Sequence, residues 1–233
     1  MKSVMLITVK NWKGIRLKNV VLRLRSAQVL LLLVLKMCFV FGQNEGSKKV
    51  IVIDPGHGGN DSGAIGINSI LEKDVVLNIA KEIIRLNETL FESEFDIYLT
   101  RYKDTLISLG DRTRLARTLK ADVFLSLHCN ASMVMSKGME VYVHHSDKPL
   151  TKSSIGLGLS VLNESTEKLG FKKRGVKFAN FQVLRETVAF CPSILIETGF
   201  LTNNDEADYF QETKNIRAMA LSILIGMYNY LNI

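Results

Sequence analysis

Four side chains in this 233-residue sequence have the types and placement that metal-assisted hydrolysis requires. His57 and His128 each come after an apolar stretch, Glu72 follows a glycine-rich loop, and Glu197 closes the run Ser193-Ile194-Leu195-Ile196. Two imidazoles and one carboxylate make a three-ligand zinc site with a fourth position left for water, the pattern of catalytic zinc. Nitrogen ligands combined with one oxygen ligand favour zinc over magnesium or calcium. A further glutamate at the end of a buried strand suits a general base. Desolvation raises its pKa toward neutrality, which proton transfer at ordinary pH needs.

Each residue also has a plainer reading. A histidine after a strand is commonly a hydrogen-bonded polar residue with no ligand role. Glu72 could be a carboxylate favoured by the dipole at a helix N-terminus. Glu197 could be half of a structural ion pair, and Asp54 is read as ordering its loop through backbone hydrogen bonds. The joint arrangement is far rarer by chance than any one member, yet pattern alone leaves both readings open.

The elements that must position these residues alternate in type. Apolar stretches at 50–53, 95–100, 121–127, 138–144, 181–184 and 193–197 predict six strands. Helical spacing predicts helices at 73–90, 108–119, 151–169 and 213–231. Strands separated by helices make an α/β domain with a mainly parallel or mixed sheet. Sites in such sheets form beyond the carboxyl ends of the strands, where His57 and His128 fall.

The charge separates the chain into parts. Residues 1–42 carry eight basic residues and no acid, whereas the rest holds 22 basic and 23 acidic residues. The net charge of +7 therefore belongs to the leader, and no basic face for nucleic acid is expected on the domain. A basic start, an apolar stretch at 29–41 interrupted by Lys36, and Val40 and Gly42 before Gln43 resemble an export signal. The apolar stretch is shorter than the roughly 20 residues of a membrane span. Expected boundaries are an export segment at 1–42, a tether at 43–48 and a catalytic domain at 49–233. Beyond the leader only Cys129 and Cys191 remain. Residue counting along the strands places them at opposite ends of the sheet, roughly 20 Å apart, so no disulfide is expected.

Longer motifs carry a family resemblance. Ile53-Asp54-Pro55-Gly56-His57-Gly58-Gly59 with Asp61 and Gly63-Ala64 resembles the opening signature of the zinc-dependent amidase-3 family of N-acetylmuramoyl-L-alanine amidases. The likeness continues through Glu72-Lys73-Asp74, Leu99-Thr100-Arg101, Arg112 and Ser126-Leu127-His128-Cys129-Asn130-Ala131. It runs on through Gly138-Met139-Glu140-Val141-Tyr142, Val183-Leu184-Arg185 and Pro192 to Asn203, and covers about residues 49–231. The resemblance implies a mixed, mainly parallel twisted sheet with helices on both faces. It implies His57, Glu72 and His128 as ligands of one zinc ion and Glu197 as catalytic acid/base. The implied reaction cuts the amide between the lactyl group of N-acetylmuramic acid and L-alanine of the peptidoglycan stem peptide. Asn130 and Arg185 are candidate substrate-binding residues, Arg185 as a bidentate partner for a stem-peptide carboxylate or else a structural salt bridge.

Peptidoglycan or muropeptides are thus the expected partner, with no nucleic acid and no stable membrane partner once the leader is removed. The expected product is an exported monomer of the periplasm, cell envelope or exterior. Some family members resemble the chain but carry an added helical plug before the strand of the catalytic glutamate. The 36 residues from His145 to Asn180 leave no room for one beside the helix at 151–169. Two alternatives stand beside this reading: a zinc carboxypeptidase-like enzyme, and an inactive amidase-like domain that binds murein. A serine hydrolase is excluded by the lack of a Gly-x-Ser-x-Gly elbow.

Overall fold

A computed structural model describes residues 47–147 and 149–232. The expected export segment, and residues 43–46 of the expected tether, lie outside the described residues. Strands β1 (Lys49–Pro55), β2 (Phe95–Leu99), β3 (Val123–Asn130), β4 (Met139–Val143), β5 (Lys173–Phe178) and β6 (Ser193–Phe200) form one sheet in the order β2-β1-β3-β6-β4-β5. Neighbours run parallel except β4 against β6, so the sheet is mixed and mainly parallel, as expected.

Alternation along the strands splits the core in two. Ile51, Ile53, Leu125, Leu127, Ile194 and Ile196 join a large cluster on one face. Helices α1 (Glu72–Leu90), α3 (Pro149–Leu169) and α6 (Thr213–Leu231) cover it through Ile79, Ile83, Leu157, Val161, Ile223 and Met227. Val52, Phe124 and Leu195 point to the other face. There they meet Ala116 of α2 (Leu109–Thr118) and Val183 and Leu184 of α4 (Gln182–Thr187). A further helix, α5 (Asn204–Gln211), is capped by Asn203, whose side chain accepts from the Glu206 N–H. No helix among the described residues is long and apolar enough to cross a membrane.

Two elements differ from the sequence reading. Residues 181–184 are not a strand: Phe181 is the N-cap of α4, and Val183, Leu184 and Thr187 are buried at helical spacing. Four residues of mixed apolar character are too few for periodicity to separate strand from helix. The sixth strand is instead β5, in a segment where no strand was expected. β5 is an edge strand with three basic residues and Gly175, and none of its residues is fully buried. Charge on an edge strand disfavours pairing with other chains, and it also hides the strand from a hydrophobicity pattern. The interval from His145 to Asn180 accordingly holds α3 and β5.

Candidate active site

β1, β3 and β6 run parallel, so their carboxyl ends share one edge of the sheet. Pro55 pairs with Leu127 across β1 and β3, which brings His57 beside His128 just beyond it. Their rings meet edge to face with centroids 4.9 Å apart. His57 sits at φ +60°, a left-handed conformation uncommon for a residue with a side chain. Gly56 permits the approach of the second imidazole: a Cβ there would lie 2.3 Å from His128 Cε1. Gly63, at φ +65°, does the same for the other partners, since a Cβ would lie 2.5 Å from Glu72 Oε2 and 2.6 Å from His57 Cδ2. Glu72 opens α1 and is 3% exposed.

The Glu72 carboxylate is the hub. Its Oε1 lies 3.1 Å from His57 Nε2 and 2.8 Å from His128 Nδ1, and also accepts from the Cys129 N–H. Its Oε2 accepts from the Ala64 N–H at 2.7 Å. One ligand atom from each of His57, Glu72 and His128 lies within 4.8 Å of the others, so the three could hold one metal ion. Ligands about 2.0–2.2 Å from a tetrahedral ion are themselves about 3.3–3.6 Å apart, within the range of separations seen here. Asp61 Oδ2 contacts His57 Nδ1 at 2.8 Å, the carboxylate–histidine contact that orients metal-binding imidazoles. Burial works to lower the His57 pKa, but Glu72 and Asp61 outweigh it and lift it to about 8. Burial works to raise Glu72, yet His128 and His57 hold it well below the usual carboxylate range. A cation among the three would take over the role of the shared protons.

Glu197 pairs with His128 in the register of β6 against β3. Its Oε2 is buried and has no hydrogen-bond partner among the described residues. Burial, with the nearby Glu72 and Glu140 carboxylates, pushes its pKa up to about 7 against the opposing pull of His128. A carboxylate of that kind can both take and return a proton near neutral pH.

Beside these residues lies a cavity of about 800 Å³, lined by His57, His128 and Glu197 and walled by Leu106, Ile107 and Phe181. It lies on the side of the sheet covered by α2 and α4. The structure thus brings together His57, Glu72, His128 and Glu197. Asn130, at the end of β3, donates to Glu140 Oε1 at 2.9 Å and is not part of the cavity lining. Arg185 is exposed on α4, bonds Asn180 through Nη1, and is also outside the lining, although Gln182 and Val183 of the same helix belong to it. Asp54 orders its loop through side chains rather than backbone N–H groups: its carboxylate accepts from Thr100, Ser126 and Arg112.

Glu140 is a residue that sequence reasoning missed. Because β4 runs antiparallel, its start reaches the edge that carries the candidate ligands and Glu140 pairs with Glu197. Its carboxylate accepts from Asn130, Tyr142, Arg174 Nε at 2.7 Å and Lys177 Nζ. A glutamate inside the apolar run Met139 to Val143 was the available signal, since buried charge demands partners.

Known proteins bear on the family and the fold. The family model described as N-acetylmuramoyl-L-alanine amidase matches residues 51–229. The chain is 37% identical over 189 residues to an endolysin of Bacillus phage SPP1, covering 79% of the chain and 67% of that protein. It is 38% identical over 183 residues to the N-acetylmuramoyl-L-alanine amidase LytC of Bacillus subtilis, but spans only 35% of that protein's length and 78% of its own. The crystal structure of an N-acetylmuramoyl-L-alanine amidase from Clostridium difficile 630 superposes with a TM-score of 0.74 at 34% identity, over 80% of the chain and 98% of that structure. On both the sequence match and the shared fold, the chain belongs to the N-acetylmuramoyl-L-alanine amidase family.

Proposed function

We propose that the chain is a zinc-dependent hydrolase that cleaves the amide bond between N-acetylmuramic acid and L-alanine in peptidoglycan, in cell-wall remodelling. The observation that carries this reading is Glu197, whose buried and unpartnered Oε2 lies next to the His57, Glu72 and His128 cluster. His57, Glu72 and His128 would hold one zinc ion. Zinc at that position supplies Lewis acidity, which polarises a scissile carbonyl and acidifies water. Glu197 takes the proton of the attacking water and delivers it to the alanine nitrogen as that group leaves. The His57 and His128 side chains are 23% and 21% exposed, so an extended substrate reaches them from the cavity. Arg185, on the helix that lines the cavity through Gln182 and Val183, is the proposed partner for a stem-peptide carboxylate. Asn130 is the second proposed substrate contact, at the end of the strand that carries His128. The protein is further read as an exported monomer acting in the periplasm or outside the cell, its leader removed.

Incubation of the purified, zinc-loaded protein with soluble muropeptides, followed by mass spectrometry, tests the reading. The expected products are a peptide-free muramic acid glycan and a stem peptide with a free L-alanine amine. Release of a C-terminal amino acid would instead identify a carboxypeptidase, and binding without cleavage would identify an inactive murein-binding domain.

A further inference from the structure

Three consecutive carbonyl groups at the His57 turn are held by two buried arginines. Arg101, 3% exposed, donates from Nε to the Pro55 carbonyl at 3.0 Å and from Nη2 to the Gly56 carbonyl at 2.8 Å. Arg112, 2% exposed, donates from Nη1 to the Pro55 carbonyl and from Nη2 to the His57 carbonyl, both at 2.8 Å. Its Nε reaches the Ile107 carbonyl in the cavity wall at 3.0 Å. Arg112 is itself aimed by Asp54, 1% exposed, through Nη1 at 2.7 Å. Asp54 is fixed in turn by Thr100 Oγ1 at 2.6 Å and Ser126 Oγ at 2.8 Å. The residue so held is the one at φ +60°. A side-chain-bearing residue persists in that region only when its surroundings over-determine it.

From this geometry we infer that Arg112 is a positioning residue for the metal, holding His57 in the backbone conformation that turns its imidazole toward Glu72. The inference rests on the zinc reading above and extends it to a residue outside the proposed ligand set. A planar guanidinium serves the His57, Pro55 and Ile107 carbonyls and Asp54 at once from fixed directions. A lysine ammonium is a single point on a flexible stem and cannot span them. Arg112→Lys therefore keeps the charge opposite Asp54 while freeing the His57 turn.

The test is zinc affinity of the full chain, measured by competition with a chromophoric chelator and set beside thermal unfolding, for wild type, Arg112→Lys and Ser126→Ala. Ser126→Ala removes one of the two hydroxyl bonds to Asp54 but leaves Thr100, the Asp54–Arg112 pair and the Arg112 bond to the His57 carbonyl in place, and so reports general loss of stability. Arg112→Lys is expected to weaken zinc binding by about 10–100-fold, the usual cost of losing an outer-shell partner. Ser126→Ala should stay within about twofold of wild type. The cobalt-substituted protein should show an altered visible spectrum in Arg112→Lys alone, because its ligand geometry has changed. A folded Arg112→Lys protein with wild-type zinc affinity overturns the inference, and so does an equal loss in Ser126→Ala. Should Arg112→Lys fail to fold, Asp54→Asn takes its place. It keeps the shape and loosens the guanidinium, and unchanged affinity there overturns the inference equally. A wild-type chain that binds no zinc would sink the underlying reading instead.

Discussion

His128 on β3 and Glu197 on β6 occupy paired positions in the sheet, so a candidate ligand and the candidate base are placed by the same strand register. Their separation does not depend on a loop. A one-residue slip between these strands would turn one of the two side chains to the opposite face.

Metal content follows from the cluster. The wild-type protein is expected to carry one zinc per chain, and His57→Ala and His128→Ala are expected to lose it. Metal analysis of the dialysed proteins checks this, and full occupancy in either variant would remove that residue from the ligand set.

Glu197 separates chemistry from binding. Glu197→Gln is nearly isosteric and should retain zinc while turnover falls by about 10²–10⁴-fold, the typical contribution of acid–base catalysis. Near-wild-type turnover on muropeptides would show that another group moves the proton.

Gly56 tests the packing behind the second imidazole. The methyl group of Gly56→Ala would meet His128 Cε1 at 2.3 Å, far inside van der Waals contact, so the ring must swing away from Glu72. We expect a protein that still folds, since only the ring must move, with zinc affinity reduced at least tenfold in the manner of other disturbed metal shells. Isothermal titration with zinc would read the change.

Glu140 gives a pH signature in stability. Burial works to raise its pKa, but Lys177, Arg174 and Tyr142 prevail and hold it below the usual carboxylate value. The unfolded chain therefore binds the proton more readily than the folded one. The stabilisation is present above the ordinary carboxyl pKa of about 4.3 and is lost as pH falls through the lower folded value. Glu140→Gln should cost about 1.5–3 kcal/mol at neutral pH, the range for hydrogen bonds to a charged group. The partial exposure of Lys177 and Arg174 favours the lower end. Melting temperatures of variant and wild type should converge only once pH falls below that lowered folded value. A gap that persists there would mean that shape, not charge, is what glutamate supplies.

Arg185 addresses substrate capture. If its guanidinium meets a stem-peptide carboxylate, Arg185→Ala should raise KM several-fold with kcat little changed, the behaviour of uniform binding. An unchanged KM would confine Arg185 to its contact with Asn180.

The sequence made the four candidate residues visible because each follows or opens a strongly patterned run, although β3 and β6 continue past His128 and Glu197 to Asn130 and Phe200. Val50 to Ile53 and Phe124 to Leu127 are apolar runs that could be little other than buried strands, and the helix after Glu72 keeps its period for 19 residues. What escaped was short or shielded. α4 offers six residues, and β5 hides its pairing beneath lysine and arginine. Glu140 escaped for another reason: its meaning depends on the reversed direction of β4, a property of topology that no local pattern encodes. Arg101 and Arg112 stood inside family motifs, yet their targets are backbone carbonyls 45 to 57 residues away, which side-chain spacing does not announce.

The two cysteines among the described residues lie in different cores, Cys129 in the larger cluster and Cys191 in the smaller one on the opposite face of the sheet. Both are free and buried. Burial pushes the Cys129 thiol far up and the Cys191 thiol up to about 12, so neither offers a reactive thiolate at neutral pH. Reductant should accordingly leave the melting temperature unchanged, and alkylating reagents should reach Cys129 and Cys191 only when the sheet opens. The thiols thus form a built-in clock for unfolding: the rate at which each is labelled reports how often its side of the sheet comes apart.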